Sequence, residues 1–337
     1  MIDFKDTVFF LGGNTPKGFY AFLTELYNPF DKWRMYIIKG GPGTGKSYFM
    51  KKIARELESL GVSVERILCA SDPKSLDAII CHELKLTIAD GTPPHVLEPR
   101  FPGVVEQILN FGDFWDETLL REKGMDIRSA ALMNSEEHKN CARILKAAGA
   151  LEEESRRLTE DIVLKDKVKR FSQRLAAREF VRKKGVPSRE YLRFLSAITP
   201  EGITFLHETV NTLCSRVIAI NDPLRAVSPL LMAHLRESAL MHGLDIISCP
   251  CPMDPEGGLE HLLIPEIGLG FVTVNPYHPL PQKPQRTIHC ERFISEEKMK
   301  SVHGRLVLNA KVKTELIEEA VSHLKSAKEC HDILESF

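Results

Sequence analysis

The apolar positions of the first hundred residues fall into short blocks of differing period. Val8 to Leu11 is a brief apolar run stopped by Gly12-Gly13. Thr15-Pro16 then has the form of a helix N-cap with proline at the first helical position. Met35-Tyr36-Ile37-Ile38 reads as a buried strand, and Phe49, Met50, Ile53, Ala54 and Leu57 recur at the spacing of a one-sided helix. Val62 to Ala70 predicts a second strand, Pro73 to Cys81 a short helix, and Leu84 to Ala89 a third strand closed by Asp90-Gly91-Thr92. Alternation of this kind predicts an α/β fold built on a mostly parallel sheet flanked by helices.

The second half repeats the order. Phe10-Leu11-Gly12-Gly13-Asn14-Thr15-Pro16-Lys17-Gly18 parallels Phe194-Leu195-Ser196-Ala197-Ile198-Thr199-Pro200-Glu201-Gly202, and Asp72-Pro73 parallels Asp254-Pro255. Cys81-His82-Glu83-Leu84 aligns with Ile264-Pro265-Glu266-Ile267, and Pro93-Pro94-His95 with Pro276-Tyr277-His278. Matches in one order at near-constant separation predict two tandem copies of one core. The copies carry helical extensions. Leu151, Leu158, Ile162, Val168, Phe171 and Leu175 form one apolar stripe, and Leu316, Ala320, Leu324 and Ala327 another. Gly185-Val186-Pro187 breaks the first stripe. The expected division is a first core at 1–111, a helical extension and linker at 112–187, a second core at 188–290 and a helical C-terminal extension at 291–337.

Composition adds bounds. A hydrophobic fraction of 43% and a net charge of -1 fit a globular chain with no global bias towards nucleic acid or anionic lipid. The opening MIDFKDTVFFLGGN has neither a signal-peptide pattern nor a membrane-spanning length, and the eight cysteines form no C-x-x-C pair. Reduced thiols, a cytoplasmic location and no membrane association are the expectations. Cys249-Pro250-Cys251, His289-Cys290 and Cys330-His331 lack the spacing of a metal site and read as buried thiols.

The chemistry centres on Gly40-Gly41-Pro42-Gly43-Thr44-Gly45-Lys46-Ser47, which fits G-x-x-x-x-G-K-[ST] between a strand and a helix. In such a loop the backbone amides of Gly41, Pro42, Gly43, Thr44, Gly45, Lys46, Ser47 and Tyr48, proline excepted, enclose phosphate oxygens at a helix N-terminus. The Lys46 ammonium reaches the β- and γ-phosphates and the Ser47 hydroxyl ligates Mg2+. Asp90, ending an apolar strand, is the first candidate for a second carboxylate at the magnesium; a simple Asp-Gly turn is the alternative. Asp72 and Glu83 are rival carboxylates, either able to position an attacking water. Both recur in the second copy, as Asp254 and Glu266, which suits scaffold roles, and so does His95 as His278. The second copy lacks the loop: Asn221 to Ser228 contains no glycine, Val227 aligns with Lys46, and Thr273 stands for Asp90.

Between Lys165 and Lys184, Arg170, Arg174, Arg178 and Arg182 recur every four residues and share a helix face. A solvated face, a lid or arginine finger over the triphosphate, and a patch for an anionic partner all fit. The sparse aromatics argue against nucleic acid.

With these motifs in place, the chain resembles an uncharacterised bacterial family of tandem P-loop ATPases. Gly12-Gly13-Asn14-Thr15, Gly40 to Ser47 and Asp90-Gly91-Thr92-Pro93-Pro94-His95 carry the resemblance, which covers nearly the whole chain. It implies two tandem P-loop NTPase-type domains, binding of ATP or another nucleoside triphosphate with Mg2+, and hydrolysis. Members look P-loop-like in both halves, whereas the second loop here is eroded. The expected function is an ATPase with one competent site. A small-molecule or nucleotide kinase and a nucleotide-gated binding module of negligible turnover use the same cradle. A homo-oligomer or a protein partner is compatible with the helical stripes.

Overall fold

The computed structural model describes residues 2–94, 96–181, 187–275 and 277–337. His95, Arg182, Gly185, Val186 and Pro276, singled out from the sequence, lie outside the described residues. The chain divides into two compact units, one made of residues 3–144, 198–202 and 318–337, the other of 1–2, 145–197 and 203–317.

In the first half the elements are β1 (Val8–Phe9), β2 (Gly12–Thr15), β3 (Gly18–Ala21), β4 (Arg34–Lys39), α1 (Lys46–Ser59), β5 (Glu65–Leu68), β6 (Leu76–Cys81), β7 (Leu86–Asp90) and β8 (Glu106–Asn110). Helices α2 (Glu117–Glu122), α3 (Gly124–Glu160) and α4 (Lys165–Glu179) follow. The second half comprises β9 (Glu190–Leu192), β10 (Ser196–Thr199), β11 (Gly202–Phe205), α5 (His207–Leu213), β12 (Arg216–Asn221), α6 (Ser228–Met241), β13 (Ile246–Cys251), β14 (Asp254–Ile264), β15 (Leu269–Val274), β16 (Arg286–His289) and α7 (Glu296–Glu335).

Two six-stranded sheets result, ordered β1-β5-β6-β7-β4-β8 and β16-β12-β15-β14-β13-β9. Read from opposite ends they are the same arrangement. In each, one strand runs against the other five: β6 in the first sheet and β14 in the second. The architecture is therefore α/β with mixed, mostly parallel sheets flanked by helices. A small hairpin also recurs. Thr15 Oγ1 donates to the Gly18 carbonyl and accepts the Lys17 N–H, and Thr199 does the same with Gly202 and Glu201.

Two local expectations are corrected. Thr15-Pro16 does not cap a helix. It makes the β2–β3 turn, because Gly18 sits at φ +92°, where the chain can reverse cheaply. The stretch from Pro73 to Cys81 is not helical either. Asp72 starts a turn, its carbonyl and carboxylate accepting the Ser75 N–H and hydroxyl, and the chain then enters β6. Strand β6 lies between β5 and β7 with nearly every residue buried, so its apolar run has no helical period to obey.

Met50 and Ala54 of α1 are buried against Ile38, Leu76, Ile79 and Ile88 of the first sheet. In the second, Leu231, Met232 and Leu235 of α6 pack with Val168, Phe171 and Leu175 of α4 on Ile218, Ile220 and Phe271. Each such side chain contributes about 1.5–3 kcal/mol by leaving water. Helix α4 thus turns its apolar face to this core, which leaves Arg170, Arg174 and Arg178 exposed.

Candidate functional site

Strand β4 delivers the chain to the glycine loop and α1 begins at Lys46. Gly43 and Gly45 adopt φ +76° and +82°, a region where a side chain costs about 1–2 kcal/mol. The bend they permit folds the Lys46 ammonium back over its own loop, donating to the carbonyls of Gly40 (3.0 Å) and Gly41 (2.8 Å). Thr44 Oγ1 also donates to Gly41. A Cβ on Gly40 would meet Thr44 Oγ1 at 2.8 Å and Phe111 Cβ at 3.0 Å, so a side chain there would have to displace its neighbours. A Cβ on Gly43 would stand 2.8 Å from the Glu335 carbonyl oxygen, at the end of α7. Tyr48 points to solvent.

Asp90 ends β7, the parallel neighbour of β4, with Ile38 as its register partner. Its carboxylate lies 3.6 Å from Lys46 Nζ and accepts the Thr92 N–H and hydroxyl. Burial pushes its pKa up, against the opposing pull of Lys46 and Thr92. Ser47 Oγ accepts the Leu76 N–H at 3.0 Å, tying α1 to β6. Lys46, Ser47 and Asp90 therefore converge at one edge of the sheet.

The rival carboxylates separate. Asp72 stays near this edge but is engaged with Ser75, and Lys328 approaches it at 4.0 Å. Glu83 is exposed in the turn before β7. A five-residue strand spans roughly 15 Å, so Glu83 sits at the opposite end of the sheet and is removed from the candidate site. Two residues were not singled out from the sequence. Asp77, at the start of β6, faces Asp90 closely enough to help raise its pKa. Lys39 donates to the Gly91 and Leu97 carbonyls and to Glu98, fixing the segment after Asp90. The available signal was Asp77 within the apolar run of β6 and Lys39 closing the apolar run Met35 to Ile38 of β4.

The equivalent junction of the second sheet is built differently. Pairing of β4 with β7 and of β12 with β15 makes Ile38 equivalent to Ile220 and Asp90 to Thr273. Six residues then separate strand from helix in both, so Ser228, not Val227, occupies the Lys46 position. Sequence matching slipped by one residue because the two loops share no side chains. Asp222 takes the place of Gly40, and its Oδ2 accepts the N–H groups of Val227 (2.8 Å) and Ser228 (2.6 Å). Arg225 takes the place of Gly43, at φ +51°. Its guanidinium turns inward to Glu152 (3.3 Å), Asp254 (3.7 Å) and the Gly258 carbonyl (3.2 Å). Lys313 completes the cluster on Glu152. A cleft of about 430 Å³ flanks this edge, lined by Asn221, Pro223, Asn275 and Leu280 among others.

Cys249, Cys251, Cys290 and Cys330 are buried, and burial pushes the Cys251 thiol up to about 12 and raises Cys249 and Cys290 in the same direction. The group of metal-competent side chains found among the described residues is instead Glu260, His261 and His278. His261 is held neutral by burial, with His278 and Arg225 adding to the effect. Among the described residues no helix is long and apolar enough to cross a membrane.

Comparison with protein-family models, with curated proteins and with solved structures finds no match to this chain.

Proposed function

We propose that this chain binds a nucleoside triphosphate with Mg2+ at Gly40 to Ser47 and hydrolyses it, using one competent site in the N-terminal half. The observation that carries this reading is the meeting of Lys46 and Asp90, 3.6 Å apart, beside a loop with two left-handed glycines at a helix N-terminus. A fold of the P-loop NTPase type in each half belongs to the same reading.

The loop amides would take the β-phosphate, helped by the positive end of α1. Lys46 would exchange the Gly40 and Gly41 carbonyls for β- and γ-oxygens. The Ser47 oxygen has a second lone pair, so it can keep Leu76 and still ligate a cation. Asp90 would complete the cation's protein ligands; a divalent ion beside it offsets the burial that now disfavours its charge. In hydrolysis a water would bond to the γ-phosphorus in line as the bond to the β–γ bridging oxygen breaks, its proton passing to the released phosphate or to solvent. Lys46 would neutralise the charge building on that oxygen, and a Mg2+ held by Ser47 and Asp90 would supply further positive charge there. In the second copy Asp222, Arg225 and Ser228 supply no such cradle.

The test is titration of intact protein and Lys46→Ala with ATP-Mg, followed by phosphate release. Equal binding by both proteins would overturn the assignment. Two nucleotides per chain would overturn the single-site claim.

A further inference from the structure

We propose that Glu260, His261 and His278 form a binding site for a divalent transition cation of the zinc type, within the unit that contains the second sheet. This goes beyond the nucleotide reading and does not depend on it. The three residues offer ligand atoms that all lie within 4.8 Å of one another, and all three side chains are buried. The Glu260 carboxylate approaches both imidazoles. One carboxylate oxygen is 3.5 Å from His278 Nδ1 and the other 3.9 Å from His261 Nε2. Ligands about 2.0–2.2 Å from one ion sit roughly 3–3.6 Å apart, so the three groups must draw in on binding, by about an ångström where the present spacing reaches 4.8 Å.

The decisive observation is His261. It is fully buried, yet neither ring nitrogen has a hydrogen-bond partner. Leaving buried polar atoms unpaired is costly, because the hydration they lose is not replaced. Nothing in the sheet demands that cost. The ladder makes His261 equivalent to Ala78 of the first sheet, since His261 pairs with Val272 where Ala78 pairs with Ala89. A small apolar residue therefore serves the same strand position elsewhere in this chain. Aromatic packing does not account for the nitrogens either. The Phe205 ring stacks on His261 at 5.1 Å and 26°, covering a face of the imidazole rather than the edge that carries them. The same ring contacts His278 at 5.1 Å, and the two imidazoles meet edge-on at 5.0 Å.

Other groups near the cluster are already engaged. Arg225, a cation whose charge reaches Glu260 and His261, is held by Glu152, Asp254 and the Gly258 carbonyl. Asn275 Nδ2 lies 3.3 Å from His278 Nδ1, at the long limit of a hydrogen bond that a metal bond would replace. Ser196 Oγ is 3.5 Å from Glu260 and buried, one hydroxyl beside an otherwise N/O set. Two imidazoles and a carboxylate select zinc and neighbouring first-row dications over Mg2+ or Ca2+, which prefer all-oxygen shells.

The probes are Zn2+ and Co2+ added to the full chain after chelator treatment and desalting. The expected result is one tightly bound zinc per chain, a rise in melting temperature on adding zinc, and reversal by chelator. Bound cobalt should show ligand-field bands without the intense thiolate charge-transfer band that the cysteines would produce. Glu260→Gln and His278→Gln should each weaken zinc binding by at least about tenfold, the lower limit seen when outer-shell partners of metals are removed. Lack of zinc binding by the intact chain, a thiolate band, or undiminished affinity in folded variants would overturn the proposal. Should a variant not fold, the stoichiometry and cobalt spectrum of the intact chain still decide.

Discussion

The two strand-to-helix junctions of this chain have equal length and opposite chemistry. Gly40 to Gly45 presents backbone amides, with Lys46 directly after them, and contributes no side-chain anion of its own. In Asp222 to Val227 the first residue is a carboxylate that accepts two of the N–H groups at the start of α6. The second junction thus carries its own anion at its helix start, and the first does not. Loss of glycines alone would have left an empty helix N-terminus, still attractive to anions. Replacing Gly40 by Asp goes further, because the anion is now part of the chain. Arg225 shows the same economy: at the left-handed position held by Gly43, it sends its charge inward to Glu152 and Asp254 rather than towards a phosphate.

The largest effect expected from breaking this contrast is at Lys46. Lys46→Ala should lower ATP turnover by about 100-fold or more, as removal of one charge-stabilising donor does elsewhere. Phosphate release under saturating ATP-Mg measures it, and Ser228→Lys in the same protein should restore nothing. Asp222→Gly should cost about 1–3 kcal/mol of unfolding free energy by orphaning two buried amides. Inorganic phosphate should recover part of that loss in a denaturant titration. An unaltered midpoint would show that Asp222 does not act as an internal anion.

Gly43→Ala should cost about 1–2 kcal/mol, since its φ of +76° is retained only under strain and the Cβ meets the Glu335 carbonyl. Thermal unfolding reads it directly. The smallest effect is a pH slope. The Asp90 pKa is raised in the folded state, so between the ordinary carboxylate value and the raised one the folded protein binds more protons than the unfolded. Stability from this group is therefore highest at low pH and falls as pH rises through that window. Asp90→Asn should flatten the slope and leave stability near neutral pH equal or higher, while abolishing Mg2+-dependent turnover. A steeper slope in the variant would reverse the assignment of burial as the dominant cause.

The glycine loop was legible because its spacing encodes backbone conformation directly: Gly43 and Gly45 take the φ values that the pattern exists to permit. Asp90 was legible as the carboxylate closing an apolar strand; the structure sets it 3.6 Å from Lys46 and also gives it the turn contacts to Thr92 that the alternative reading expects. The neighbouring β6 was misread, since Asp72-Pro73 imitates a helix start and a strand buried on both faces shows no alternation. Thr15-Pro16 misled in the same way, with Gly18 as the overlooked turn signal. Glu83 entered as a rival carboxylate although its recurrence as Glu266 suited a scaffold role; which end of the sheet it occupies depends on the turn before β7, which the local pattern does not encode. The role of Asp222 depends on an exact alignment of two unlike loops, which only the strand ladders supply. Glu260, His261 and His278 are joined through the fold of β14 on β15 rather than through spacing. An imidazole inside Leu259 to Ile264 was the one local clue.

The last turn of α7 brings the Glu335 carbonyl against Gly43. A helix ends in unsatisfied carbonyls and a partial negative charge, so an anion entering the loop meets a like-signed neighbour. Occupancy of the loop and order in that turn are therefore coupled energetically. Amide exchange at residues 331–335 should shift when nucleotide binds, making the end of α7 a label-free gauge of the loop's state.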